Sequence, residues 1–313
     1  MHFPRRSPFA QVLLLIGLLL TGCNSDSEVT GLNELTIGVV SYDEGSRSVE
    51  RYERLQEYLA EQTKSIVQLE PAYNEIQALE QVQRKNWEIV FAPPGLAAIA
   101  IDQNLYLPMF ALEEIDQDRR SVLVVREDSP AQSLTDLNGT VAALGEPGSA
   151  AGYYLPAYDL YGLTFTEIRF APTPRTALEW LEQGEVEVSA LSMGSFERYK
   201  REFRSTEFRI LHTSRWIPPG LVLLGPTVDR NLQVKIEQAM RDAPADITAD
   251  TGYVPEAPLP DYSQFTQLVE KILPLREQIK QKPAVLLYDQ GEPESDETAI
   301  DQAGQDVLAE PSP

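Results

Sequence analysis

The chain has one cysteine and two histidines in 313 residues, and it is short of basic side chains, with 26 Lys and Arg against 48 Asp and Glu. One cysteine excludes an internal disulfide and any thiolate metal cluster. Two histidines, His2 and His212, exclude a multi-histidine metal site once His2 is set aside with the apolar leader around it. A formal charge of -22 repels nucleic acid and anionic lipid surfaces, so no nucleic-acid partner is expected.

What is present begins at the amino terminus. Arg5 and Arg6 precede the apolar run Phe9 to Leu20, which is followed by Leu20-Thr21-Gly22-Cys23. A positive start, a short apolar core and small residues before a cut read as a secretory signal. With cysteine at the cut, the segment resembles bacterial lipoprotein signals. That resemblance implies that residues 1–22 are removed and that Cys23 carries lipid, placing the chain in the cell envelope, facing the periplasm or the outside of the cytoplasmic membrane. Residues 23–33 are polar and small, as a tether requires. Residues 288–313 are rich in Asp, Glu, Gln and Pro without Lys or Arg, the composition of a solvated acidic tail.

Between these ends, strand-like and helix-like patterns alternate. Strands are expected at Leu35–Val40, Ile66–Leu69, Trp87–Phe91, Tyr106–Ala111, Val122–Arg126, Val141–Leu144, Glu167–Phe170, Val186–Leu191 and Leu221–Leu224. Apolar residues at three- and four-residue spacing predict helices around Val49, Tyr52, Leu55 and Leu59, and around Ile76, Leu79 and Val82. A further helix is expected with Thr173 as cap, Pro174 first and Gly184 as stop. The pattern predicts an α/β protein of mostly parallel sheets covered by helices, and its length favours two lobes. The expected division puts 34–125 and 215–287 in lobe 1 and 126–214 in lobe 2, joined by a two-strand hinge.

One segment carries binding chemistry. Thr140 to Tyr154 reads TVAALGEPGSAAGYY, a buried strand turning through glycines into a helix. Ser149 caps that helix, its first amides point outward as free donors, and the turn is a candidate anion site. His212, in the run Arg209 to Thr213, is expected to be a satisfied structural imidazole. No nucleophile turn or histidine cluster suggests catalysis, and no cofactor is expected.

Short motifs in this order carry a wider resemblance: Ile37-Gly38-Val39-Val40-Ser41-Tyr42, Arg54 to Leu59, Phe91-Ala92-Pro93, Arg120 to Val125, Ser133 to Gly139, Glu146-Pro147-Gly148-Ser149, Gly184 to Glu187 and Ile217-Pro218-Pro219. Together they resemble the phosphate/phosphite/phosphonate-binding proteins of ABC transporters, a branch of the type-2 periplasmic binding fold. The resemblance covers residues 34 to 285. It implies a non-enzymatic two-lobe trap that captures a small anionic solute and delivers it to a permease.

The ligand positions so implied are Tyr42, Ser149, Ala150, Ala151, Gly152, Tyr153 and Ser192, and several depart from the family pattern. Ala150 and Ala151 stand where the family has hydroxyls. Ser192 replaces an acid or amide, and Pro172 to Arg175 follow the strand where a histidine is usual. Arg175, at the start of a helix, is the candidate to compensate as a bidentate oxyanion partner. These departures motivate an alternative: a binding-fold lipoprotein with an altered or lost ligand site, acting as a sensor or interaction protein.

Overall fold

The computed structural model describes residues 33–40, 49–113 and 119–287. Tyr42, Cys23, the leader, the tether and the acidic tail lie outside the described residues. Among the described residues no helix is long and apolar enough to cross a membrane.

Lobe 1 is built from β1 (Glu34–Val40), β2 (Ile66–Ala72), β3 (Ile89–Ala92) and β4 (Leu107–Leu112). Lobe 2 follows with β5 (Arg120–Arg126), β6 (Val141–Gly145), β7 (Thr164–Phe165), β8 (Glu167–Ala171), β9 (Val188–Ser192) and β10 (Phe208–Trp216). The chain then returns to lobe 1 with β11 (Leu221–Leu224) and β12 (Tyr253–Val254) and ends at β13 (Ala284–Val285). The six-stranded sheet has the order β12-β4-β11-β3-β1-β2, and the five-stranded sheet β10-β5-β9-β6-β8. Parallel pairing joins β2-β1-β3 and β8-β6-β9, while the other pairs in both sheets are antiparallel. The sheets are therefore mixed: β5 and β11, the first strands after each crossing, run antiparallel to their neighbours.

Two boundaries differ from the sequence reading. The apolar strand Arg120–Arg126 belongs wholly to the second sheet, where it pairs with β9 and β10, so the first crossing precedes it, after β4 ends at Leu112. The C-terminal segment does not stay in lobe 1, because β13 pairs with β7. Helix Ser263–Ile272 packs both on helix Pro94–Asn104 of lobe 1 and on helix Leu155–Asp159 of lobe 2.

Burial accounts for these choices. Four-residue β3 and β11 are buried throughout, as strands covered on both faces must be. Helix Pro174–Glu182 turns Ala177, Leu178 and Leu181 inward, the one-sided stripe of an amphipathic helix. Helix Pro94–Asn104 instead buries Gly95, Leu96, Ala97, Ala98, Ile99 and Ala100 on every side. One apolar core holds Leu96, Ile99 and Tyr106 of lobe 1 together with Leu144, Tyr154 and Leu155 of lobe 2 and Val269 and Ile272 of the bridging helix.

Candidate functional site

A cavity of about 420 Å³ lies where the lobes face each other. Lobe 1 contributes Tyr73, Asn74 and Glu75, and lobe 2 contributes the ends of β6, β8 and β9 with the turns that follow them. Four helix starts converge there, and the capping residue of each, Asn74, Ser149, Thr173 and Ser192, lines the cavity. Asn74 Oδ1 accepts from the Gln77 amide at 2.8 Å, and Ser149 Oγ from the Gly152 amide at 3.0 Å. Thr173 Oγ1 accepts from the Thr176 amide at 3.1 Å, and Ser192 Oγ from the Ser195 amide at 3.0 Å.

The convergence follows from local sequence. Each cap is a short polar residue in extended conformation at or just after the end of a strand, the chemistry that satisfies orphan amides at a helix start. In doubly wound sheets such turns gather beyond the carboxyl ends of the strands, which is where ligands bind. Each helix start also presents the positive end of its macrodipole, roughly half an elementary charge.

The Ser149 turn has a wider mouth than an ordinary helix. Residues Ala150–Tyr154 form a π-helical turn, in which the amides of Tyr153 and Tyr154 both donate to Ser149 O, at 3.1 and 3.0 Å. Such turns recur at functional sites. Ala151 stands in the first turn of this helix, where main-chain amides lack an intrahelical acceptor, and it lines the cavity. The carbonyl of Ala151 is held from behind by the Ser121 hydroxyl at 2.6 Å.

Hydroxyl protons supply further donors. Ser192 spends its proton on Ser195 Oγ at 2.9 Å, which leaves the Ser195 hydroxyl to donate into the cavity it lines. Ser149 Oγ accepts from an amide and keeps its proton for a guest.

Charged side chains give the site the opposite sign from the dipoles. Among the described residues that line it there is no Lys, Arg or His, whereas Glu75 and Glu146 are present. Burial holds the Glu146 carboxyl above its ordinary range, since desolvation disfavours the charged form. No group of His, Cys, Asp and Glu among the described residues could hold a metal ion.

Of the residues singled out in the sequence, Ser149, Ala151, Gly152 and Ser192 stand together around the cavity. Three do not line it. Ala150 is buried behind the turn, and Tyr153 is packed in the core at 5.1 Å from the Tyr154 ring and 6.1 Å from Phe170. Burial pushes the Tyr153 phenol up to about 12. Arg175 turns outward, 52% exposed, to pair with Glu179 and with Glu202 at 2.9 Å; the ion pairs on its own helix face and across from it take up the guanidinium. His212 Nε2 meets Asp159 Oδ2 at 3.0 Å, the partnered imidazole expected. Tyr73, Asn74, Glu75, Glu146 and Ser195 also line the cavity, beyond the positions expected from the sequence. Asn74 carries a legible signal, a cap just before the Ile76, Leu79 and Val82 stripe.

The sequence model of a family described as ABC transporter, phosphonate, periplasmic substrate-binding protein matches residues 37–256. Among functionally curated proteins none matches. A protein of Xanthomonas citri, XAC2383, solved bound to ATP, superposes with a TM-score of 0.64 at 19% identity, covering 79% of this chain and 100% of its own. PhnD1 of Prochlorococcus marinus, solved with methylphosphonate, gives 0.59 at 15% identity, covering 76% and 98%. The binding protein component of an ABC phosphonate transporter from Pseudomonas aeruginosa gives 0.55 at 16% identity, covering 71% and 80%.

Proposed function

Because the chain belongs to the periplasmic substrate-binding proteins of phosphonate ABC transporters, which bind solute and are not enzymes, we propose that it captures a small oxyanion of the phosphate, phosphite or phosphonate class between its lobes. It then delivers that anion to a permease. The observation that carries this reading is the convergence of four capped helix starts on one cavity. Partial positive charge from four dipoles, with the Ala151 amide and the Ser149 and Ser195 hydroxyls as donors, replaces the cationic side chain the cavity lacks.

Within this reading Ser149, Ala151, Gly152 and Ser192 contact the anion, together with Thr173, Ser195 and, from lobe 1, Asn74. The cavity volume lies in the roughly 300–1,000 Å³ range of small-molecule sites, which favours an oxyanion bearing an organic substituent over a bare ion. The methylphosphonate in the Prochlorococcus relative supports that class. Lipid on Cys23 would hold the protein at the membrane beside its permease, in place of a basic surface patch.

A second reading, a sensor or interaction lipoprotein, draws support from Glu75 and Glu146 at the cavity, which oppose a multiply charged anion. Neighbouring genes discriminate: a permease and an ATPase support uptake, a kinase supports sensing. The direct test is thermal shift of the full chain against methylphosphonate, phosphite, phosphate, sulfate and amino acids. Stabilisation by a phosphorus oxyanion supports capture, and no response at millimolar concentration rejects it.

A further inference from the structure

Lobe 1 touches the Ser149 turn through bare backbone. Gly95, second residue of helix Pro94–Asn104 and buried, sits so close to lobe 2 that a Cβ on it would lie 1.9 Å from the Gly148 carbonyl oxygen and 2.9 Å from the Ala150 nitrogen. Both of these neighbours are main-chain atoms, so no side chain can swing aside to admit a methyl group. Gly148 is confined as well. Its φ of +118° suits glycine alone, and a Cβ there would lie 2.7 Å from the Cβ of Glu75, the first residue of the helix capped by Asn74.

The peptides from Gly148 to Ala150 are thus gripped from lobe 1 at two points, by helix Pro94–Asn104 and by the start of helix Glu75–Arg84. Neither Gly95 nor Gly148 lines the cavity. The turn they hold carries the Ser149 hydroxyl and, one residue past the gripped segment, the Ala151 amide. A binding constellation keeps its strength only when its groups are held to within about 0.5 Å. Side-chain packing would leave more freedom than this backbone seat.

We infer that Gly95 is a positioning residue: its missing side chain lets lobe 1 clamp the Gly148–Ala150 backbone and so aims the Ser149 hydroxyl and Ala151 amide at the anion. The inference rests on the anion site proposed above. It requires no contact between Gly95 and the ligand. A methyl group at position 95 must displace the turn or part the lobes there by an ångström or more to reach an ordinary carbon–oxygen contact.

The test compares the full chain with its Gly95→Ala variant by titration calorimetry with methylphosphonate and with phosphite, and by amide hydrogen exchange without ligand. Gly95→Ala should weaken binding about tenfold or more, and speed exchange within residues 146–152 while exchange in β1 and β3 stays unchanged. Unchanged affinity and unchanged exchange at 146–152 would overturn the inference, as would exchange raised uniformly through both lobes, the mark of a merely structural glycine. If the parent chain binds neither probe, the functional reading falls while the exchange pattern still decides whether Gly95 holds the turn. Should Gly95→Ala fail to fold, Gly148→Ala, which alters the second grip, is measured in the same way: faster exchange confined to 146–152 with weaker binding supports the clamp, and unchanged or uniformly raised exchange overturns it.

Discussion

Arg175 Nε donates to Glu202 Oε2 at 2.9 Å, and this pairing turns the guanidinium away from any guest in the cavity. An arginine at a helix start invites the reading of an anion clamp, but Glu179 on its own helix and Glu202, 27 residues further along the chain, take up its guanidinium. Exposed pairs of this kind are screened by water and contribute little. Arg175→Ala is therefore expected to leave ligand affinity within about twofold and stability nearly unchanged, as calorimetry and urea melts will read.

Ser149 does two jobs, and two substitutions separate them. Its oxygen caps the helix through the Gly152 amide, while its proton remains for the ligand. Ser149→Ala should lose about 1 kcal/mol of stability from the cap and, with the hydrogen bond to a charged group gone, weaken anion binding by about tenfold or more. Ser149→Gly should restore much of the stability without the affinity. A variant that binds as tightly as the parent would remove the hydroxyl from the site.

Glu146 should oppose an anionic guest. Its carboxyl lies above the ordinary range because burial disfavours its charge, so on acidification it loses its charge earlier than an exposed carboxylate does. Glu146→Gln is expected to raise affinity for methylphosphonate at neutral pH and to flatten the gain in affinity expected of the parent on acidification. The same shift acts on stability. A carboxyl whose folded value is raised stabilises the fold below its unfolded range and loses that contribution as pH rises through the folded value, so the glutamine variant should be relatively more stable at neutral pH. Lower affinity in Glu146→Gln at every pH would show that the carboxylate accepts a hydrogen bond from the ligand instead.

Cys23 provides the anchor test. The full chain expressed in a bacterial host should partition with membranes and take up labelled fatty acid, and Cys23→Ser should do neither. Equal recovery of both forms in the membrane fraction would contradict lipid attachment at that residue.

The parts of the fold legible in the sequence are those whose burial is one-sided or complete over a short run. The apolar strands from Leu35 to Leu224 are of this kind, as are Thr173 and Pro174 at the start of an amphipathic helix. Helix Pro94–Asn104 is not, because its run Gly95 to Ala100 is buried on every face and so has no 3.6-residue rhythm to detect. The span Arg120–Arg126 reads as the strand it is, yet its lobe depends on pairing with β9 and β10, which no local pattern encodes. At the site, Ser149 is legible because glycine, cap and helix lie in one stretch. Asn74 does not stand out as its counterpart across the cavity, since an N-cap looks the same whichever way its helix points. Arg175 misleads for a related reason: its helix position is right, and of its two partners Glu202 is out of sight.

Helix starts, without a cationic side chain, are proposed to hold a phosphorus oxyanion between the lobes, and titration calorimetry of the full chain with methylphosphonate and with phosphite decides whether they do. Saturable one-to-one binding to at least one of them, weakened in Ser149→Ala and untouched in Arg175→Ala, is the predicted result; no heat of binding for either anion at millimolar concentration would contradict it.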